Sequence, residues 1–303
     1  MKRNFLSITD FSREKIEDVF ELAAELKVKT KEGRCPQLLS GRSVALIFHK
    51  PSLRTRVSFE VGLNQLGGRG IYITAQEIQL GRRESIYDAA KVLSRFVDGV
   101  LIRTFSHQDV RELAKWAEVP VINGLTELLH PCQILSDLFT IQEKKGKIYG
   151  IKIAYLGDGN NVANSWLNAS TRVQLDLRIG TAPGCEPDRG IFRKAKNSTV
   201  SKVTLTHDPK EAVRGVDVVY TDVWASMGEK EKSAEKAQLL KGFQVNSELL
   251  SYAHPDCLVM HCLPAERGKE ITDEVIDGPH SVVFDQAENR LHAQKALLVK
   301  LLG

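Results

Sequence analysis

Residues 43–68 read SVALIFHKPSLRTRVSFEVGLNQLGG, and this stretch sets the reading of the chain. Val44 to Phe48 form an unbroken apolar run, short enough for a strand buried on both faces. A polar turn of Lys50, Pro51 and Ser52 follows, then a helical period over 54–66 that Gly67 and Gly68 end. Strand, turn and helix in that order make the repeating unit of a parallel α/β sheet.

The same alternation extends in both directions. Upstream, Ser12 stands ready to cap a helix over 12–28, with Ile16, Val19, Phe20, Ala23 and Leu26 on one face. Downstream, apolar runs at 71–74, 99–103 and 119–123 alternate with helical periods at 84–97, 107–117 and 131–143. The charged, glycine-containing stretch EKKGKIYG at 143–150 then interrupts the pattern and reads as a hinge. A second series follows, with strands expected at 152–156, 175–181, 202–206, 216–220, 257–262 and 281–284 and a helix at 287–302. The expected fold class is α/β: two doubly wound parallel-sheet domains, 1–146 and 147–303, with the last helix returning to the first domain. A ligand cleft is expected between them, at the carboxyl ends of the strands.

The 303 residues suffice for two such domains, and a composition of 42% hydrophobic and 26% charged residues is that of a compact protein. A formal net charge of +4, evenly mixed along the chain, argues against nucleic acid or an anionic membrane as partner. There is no continuous apolar signal region at the start and no run of about 18 apolar residues, so neither secretion nor membrane insertion is expected. Five cysteines without a CxxC spacing suit free thiols in a reducing compartment, and the cytoplasm is the expected location.

Several strand-to-helix loops carry groups suited to chemistry. Ser52, Arg54 and Thr55 stand at a helix start, where hydroxyls, a guanidinium fork and free N–H groups make a cradle for phosphate or an oxyanion. In isolation such a turn is more often a capped helix with exposed basic residues. His130 and Gln133, opening the next helix after 119–123, are placed to polarise a carbonyl, although His-Pro also serves as plain punctuation. Arg103 closes the 99–103 strand, and Arg290 lies near the start of the last helix, where pairing with Asp285 or Glu288 is the simpler role. Asp222, at another strand end, suits a substrate ammonium, and Cys262 puts a thiol at a further one.

Two cofactor readings fail on the residues. LGDGNNVANS at 156–165 suggests a dinucleotide fingerprint, but Val162 occupies the third glycine position and the next strand ends in Gly180-Thr181-Ala182-Pro183, without an acidic residue for a ribose hydroxyl. Asn160 and Asn161 are therefore available for a smaller ligand, one of them serving as helix cap. His254, Cys257, His261 and Cys262 invite zinc, yet in an extended strand Cys257 and His261 face away from Cys262, so the four do not converge. No metal and no cofactor is expected.

SLRTR at 52–56, HPCQ at 130–133, GDGNN at 157–161, DVWASMG at 222–228, HCLPA at 261–265 and FDQAENR at 284–290 occur together and in order. Through them nearly the whole chain resembles the ornithine branch of the aspartate/ornithine carbamoyltransferase family. The resemblance implies transfer of a carbamoyl group from carbamoyl phosphate to the side-chain amine of L-ornithine. It implies that Ser52, the Leu53 backbone, Arg54 and Thr55 hold the phosphate, with Arg103, His130 and Gln133 around the carbamoyl group and Arg290 completing the contacts. Leu53 stands where the family commonly has threonine, so a side-chain contact is absent there. Gln79 matches a loop residue that reaches into a neighbouring subunit's site, which implies a homo-oligomer built on trimers. Asn161, Asp222, Ser226 and the Met227 backbone correspond to the ornithine contacts, with Cys262 and the Leu263 backbone beside the reacting amine and counted among the carbamoyl phosphate contacts. Asp222, Cys262, Arg103 and His130 are thereby the catalytic candidates. Acetylornithine or putrescine as acceptor, or a non-catalytic sensor on the same fold, are the competing readings.

Overall fold

The structure is a computed structural model that describes residues 4–81, 83–225 and 233–303. Along the chain run α1 (Arg13–Lys31), β1 (Ser43–Phe48), α2 (Leu53–Gln65), β2 (Arg69–Thr74), α3 (Ala75–Ile78), α4 (Ile86–Phe96), β3 (Gly99–Arg103), α5 (His107–Trp116), β4 (Val121–Leu125) and α6 (Pro131–Lys145). They are followed by β5 (Ile151–Leu156), α7 (Asn161–Ala169), β6 (Leu175–Gly180), α8 (Arg189–Lys196), β7 (Lys202–Thr206), α9 (Pro209–Val213) and β8 (Val218–Thr221). The remainder comprises α10 (Ser233–Leu240), α11 (Ser247–Leu250), β9 (Leu258–His261), α12 (Asp273–Ile276) and α13 (Val283–Leu302). Two compact units result, Met1–Phe139 with Glu288–Gly303, and Thr140–Ala287, so that each boundary falls inside a helix.

The first unit holds a parallel sheet in the order β2-β1-β3-β4. β1 lies between β2 and β3, and β3 is buried throughout, which is why both strands read as continuous apolar runs. The chain leaves β1 to one side and returns on the other, making a topological switch point between the carboxyl ends of β1 and β3. Ile47, Val100, Ile102, Val110 and Leu113 form the core on one sheet face. The terminal part of α13, from Glu288, belongs to this unit. Asn289 Oδ1 accepts from Lys27 Nζ at 2.8 Å, and Lys295 Nζ donates to Gln65 Oε1 at 2.9 Å. Burial holds the Lys295 amine below its usual range.

In the second unit the parallel order is β7-β6-β5-β8-β9, with the switch point between β5 and β8. Leu156, Val219, Val259, Phe243 and Trp224 lie in its core. One strand expectation fails here. Residues 281–284 are not a strand: Ser281 makes a single bridge to Val259, and α13 begins at Val283. A three-residue apolar run cannot distinguish a strand from a buried first helical turn, and here the helix prevails.

Candidate active site

Register and helix start build the first unit's site. Phe48 pairs with Arg103, so the end of β3 lies beside the turn that leads from β1 into α2. The β3–β4 register shifts between Ile102 and Arg103, whose partners are Asn123 and Leu125, leaving Gly124 as the extra residue of a bulge. Bulges re-aim side chains at strand ends, and this one lies opposite Arg103. Ser52 is the α2 N-cap, its Oγ accepting from the Thr55 N–H at 3.3 Å. Thr55 in turn is fully buried, and its Oγ1 accepts from Arg290 Nη2 at 2.7 Å and from Arg103 Nη1 at 3.4 Å.

Two arginines far apart in the sequence thus meet on one hydroxyl at a helix N-terminus, a concentration of positive charge that favours an anion. Arg290 is buried, so the simpler expectation of surface pairing does not hold for it; Asp285 pairs with Lys144 and Glu288 with Lys31. His130, also buried, feels Arg290, Arg103 and Arg54. Burial first and these three cations second push its imidazole well below the usual range, so it stays neutral at physiological pH. Gln133 follows in the first turn of α6, with Nε2 donating to Asp137 Oδ1 at 2.8 Å. Cys132 is structural: its thiol donates to the Asn123 carbonyl at 3.3 Å, and burial pushes it up to about 12. Leu53 is 74% exposed, which leaves only its backbone to contribute. Gln79 lies on an exposed turn with a left-handed φ of 42°.

Parallel pairing builds the second unit's site in the same way. Thr221 pairs with both Leu156 and His261, so the residues that follow each strand emerge side by side. Cys262 Sγ donates to Asp222 Oδ1 at 2.9 Å, and Asn160 Nδ2 donates to Asp222 Oδ2 at 2.8 Å. Asn160 also caps α7, accepting from the Val162 and Ala163 N–H groups, which leaves Asn161 as the asparagine without the capping duty. Gly157 (φ 124°) and Gly159 explain the fingerprint-like spacing. A Cβ on Gly159 would lie 2.2 Å from the Pro187 nitrogen, so the glycine is required by the chain's own backbone rather than by a pyrophosphate.

The HCLP turn is pinned by a histidine that sequence reading had considered only as a metal ligand. His261 Nδ1 accepts from the Leu263 N–H at 2.9 Å, which places the ring proton on Nε2, 3.2 Å from Glu270 Oε1. Both side chains are fully buried. Leu263 is thereby held at a φ of 55°, a strained value for leucine. Asp222, His261 and Cys262 each bring one ligand-type atom within 4.8 Å of the others, but His261 already uses both ring nitrogens. Neither Glu270 nor Asp137 was singled out from sequence. Asp137 had a readable signal, a carboxylate four residues after Gln133 on one helical face, whereas Glu270 had none. Ser226 and Met227 lie outside the described residues.

A neutral imidazole among arginines at one switch point, and a thiol on a carboxylate at another, define an α/β transferase equipped for a small anionic donor and an amine. Residues 3–143 match the carbamoyl-P binding domain of the aspartate/ornithine carbamoyltransferases, and 149–301 match their Asp/Orn binding domain. An ornithine carbamoyltransferase of Carboxydothermus hydrogenoformans is 55% identical over 304 residues, covering 99% of this chain and 98% of its own. The solved ornithine carbamoyltransferase of Pyrococcus furiosus superposes with a TM-score of 0.96 at 50% identity, covering 99% of this chain and 97% of that one. The anabolic ornithine carbamoyltransferase of Campylobacter jejuni gives 0.93 at 38% identity, with 99% of both chains covered. The chain belongs to the aspartate/ornithine carbamoyltransferase family.

Proposed function

We propose that the protein transfers the carbamoyl group of carbamoyl phosphate to the side-chain amine of L-ornithine, giving L-citrulline and phosphate. The observation that carries this is the meeting of Arg103 and Arg290 on Thr55 beside a neutral His130, in the unit matching the carbamoyl-P domain. Ser52, Thr55, Arg54 and the first N–H groups of α2 hold the phosphate, joined by Gln79 of a neighbouring subunit in a trimer. Attack on the carbonyl carbon creates an oxyanion, for which Arg103, His130 and Thr55 are donors. Such donors are worth about 2.7–4 kcal/mol each.

An alkyl ammonium titrates near about 10.4, so the site must hold the amine neutral or take its proton. Asp222 accepts from Cys262, which suits either task, and the departing phosphate is the alternative base. The nitrogen–carbon bond forms in that attack, and collapse of the oxyanion then breaks the carbon–oxygen bond to phosphate. Asn161, Ser226 and Met227 complete the ornithine contacts. Among the described residues no helix is long and apolar enough to cross a membrane, and we place the reaction in the cytoplasm, in arginine metabolism.

The test is formation of the carbamoylated (ureido) product, citrulline in the case of ornithine, from carbamoyl phosphate with ornithine, acetylornithine, putrescine or aspartate supplied in parallel. Strong preference for ornithine is expected; a preference for another amine overturns the acceptor assignment, and no turnover overturns the reaction. Arg54→Gly is expected to lower turnover by about 100- to 1000-fold, measured in the same assay.

A further inference from the structure

Carbamoyl phosphate and acetyl phosphate share a phosphate end and a carbonyl and differ only in an NH2 against a CH3. Neither the arginines, Thr55 nor His130 distinguishes them, because all of these serve the common part. Discrimination requires an acceptor facing the NH2, and Gln133 has one to give only if its amide points the right way.

An amide side chain is ambiguous by itself, with a donor end and an acceptor end of nearly equal shape. Here one end is fixed. Gln133 Nε2 donates to Asp137 Oδ1 at 2.8 Å, one helical turn further along α6, and both side chains are buried, at 1% and 0% exposure. A carboxylate only accepts, so the NH2 end of Gln133 is committed to Asp137. The opposite atom, Gln133 Oε1, is buried and has no hydrogen-bond partner among the described residues. A buried carbonyl oxygen left without a donor is unfavourable and calls for one.

We propose that Asp137 is the positioning residue that sets substrate choice in the first unit. It turns Gln133 so that Oε1 accepts from the carbamoyl NH2, a bond that acetyl phosphate cannot make. This rests on the carbamoyl phosphate assignment above but not on the identity of the amine. With the amide reversed, two NH2 groups would face each other and the preference would vanish.

Calorimetric dissociation constants for carbamoyl phosphate, acetyl phosphate and inorganic phosphate test this without turnover. Asp137→Asn gives Gln133 a neighbour that both donates and accepts, so the amide is no longer held one way; Asp137→Ser does the same should the first variant fail to fold. Wild-type protein is expected to prefer carbamoyl over acetyl phosphate by about tenfold or more, the selectivity of one buried hydrogen bond. Asp137→Asn should lose most of that preference while its affinity for inorganic phosphate stays unchanged. Gln133→Leu should abolish the preference, and adding Asp137→Asn to it should change nothing more. A preference retained in Asp137→Asn, a parallel fall in phosphate affinity, additive losses in the double variant, or equal binding of the two acyl phosphates by wild type would each overturn the proposal. Preserved selectivity in a wild-type protein that carbamoylates no amine would instead overturn the proposed reaction and leave this inference standing.

Discussion

Thr55→Val isolates the joint on which the anion site is built. Valine matches threonine in shape but offers the Arg290 and Arg103 guanidinium groups no acceptor. The 2.7 Å bond from Arg290 is short and charge-assisted, while the 3.4 Å bond from Arg103 is at the weak end of the range. Losing one hydrogen bond to a charged group costs about 1.5–3 kcal/mol, and the second adds little. At about 2–4 °C per kcal/mol for a domain of this size, the first unit should melt roughly 3–12 °C lower in the absence of ligand. Because the hydroxyl is fully buried, the deficit should be the same at low and high salt, unlike that of a surface ion pair. Calorimetric scans of wild type, Thr55→Val and Thr55→Ser at two salt concentrations measure it, with the serine variant recovering most of the loss. Equal melting of Thr55→Val and wild type, with unchanged circular dichroism, would refute the idea that the hydroxyl holds the arginines.

Two further outcomes follow from the site geometry. His130 titrates well below its unfolded value, so the unfolded chain binds the proton first and stability falls as the pH drops below about 6.5, at up to roughly 1.4 kcal/mol per unit. His130→Asn should reduce the slope of that part of the profile, to which His49, His107 and His292, also held low by burial, contribute, as measured by urea unfolding between pH 7 and 5; an unchanged slope would show that His130 does not contribute. Gly159→Ala should destabilise the second unit by about 1–3 kcal/mol, since its Cβ meets backbone rather than a yielding side chain. In steady-state kinetics it should raise the KM for ornithine and spare that for carbamoyl phosphate, and equal effects on both would argue against a local change.

What the sequence revealed and what it hid have physical causes. Strands buried on both faces, such as β1 and β3, announce themselves as apolar runs, and the residues after them could be named as candidates from topology alone. Thr55 and Arg290 could not be joined that way: 235 residues separate them, and no local rule encodes such a contact. The choice between Asn160 and Asn161 was likewise open until the capping bonds of α7 assigned one of them. The strand expected at 281–284 failed because a single bridge to Val259 was all that its apolar run supported. The role of His261 in pinning the turn was hidden because spacing alone does not show which atoms its ring nitrogens meet.

The return of residues 288–303 to the first unit has a consequence for how the molecule is made. On the ribosome the first sheet emerges early, yet Arg290, Asn289 and Lys295, which bond to Thr55, Lys27 and Gln65, are added only after the whole second unit. The nascent first unit must therefore wait, with the polar groups of Lys27 and Thr55 uncovered, until the whole second unit has been synthesised. A chain cut anywhere before residue 290 leaves the first sheet without the guanidinium that meets Thr55.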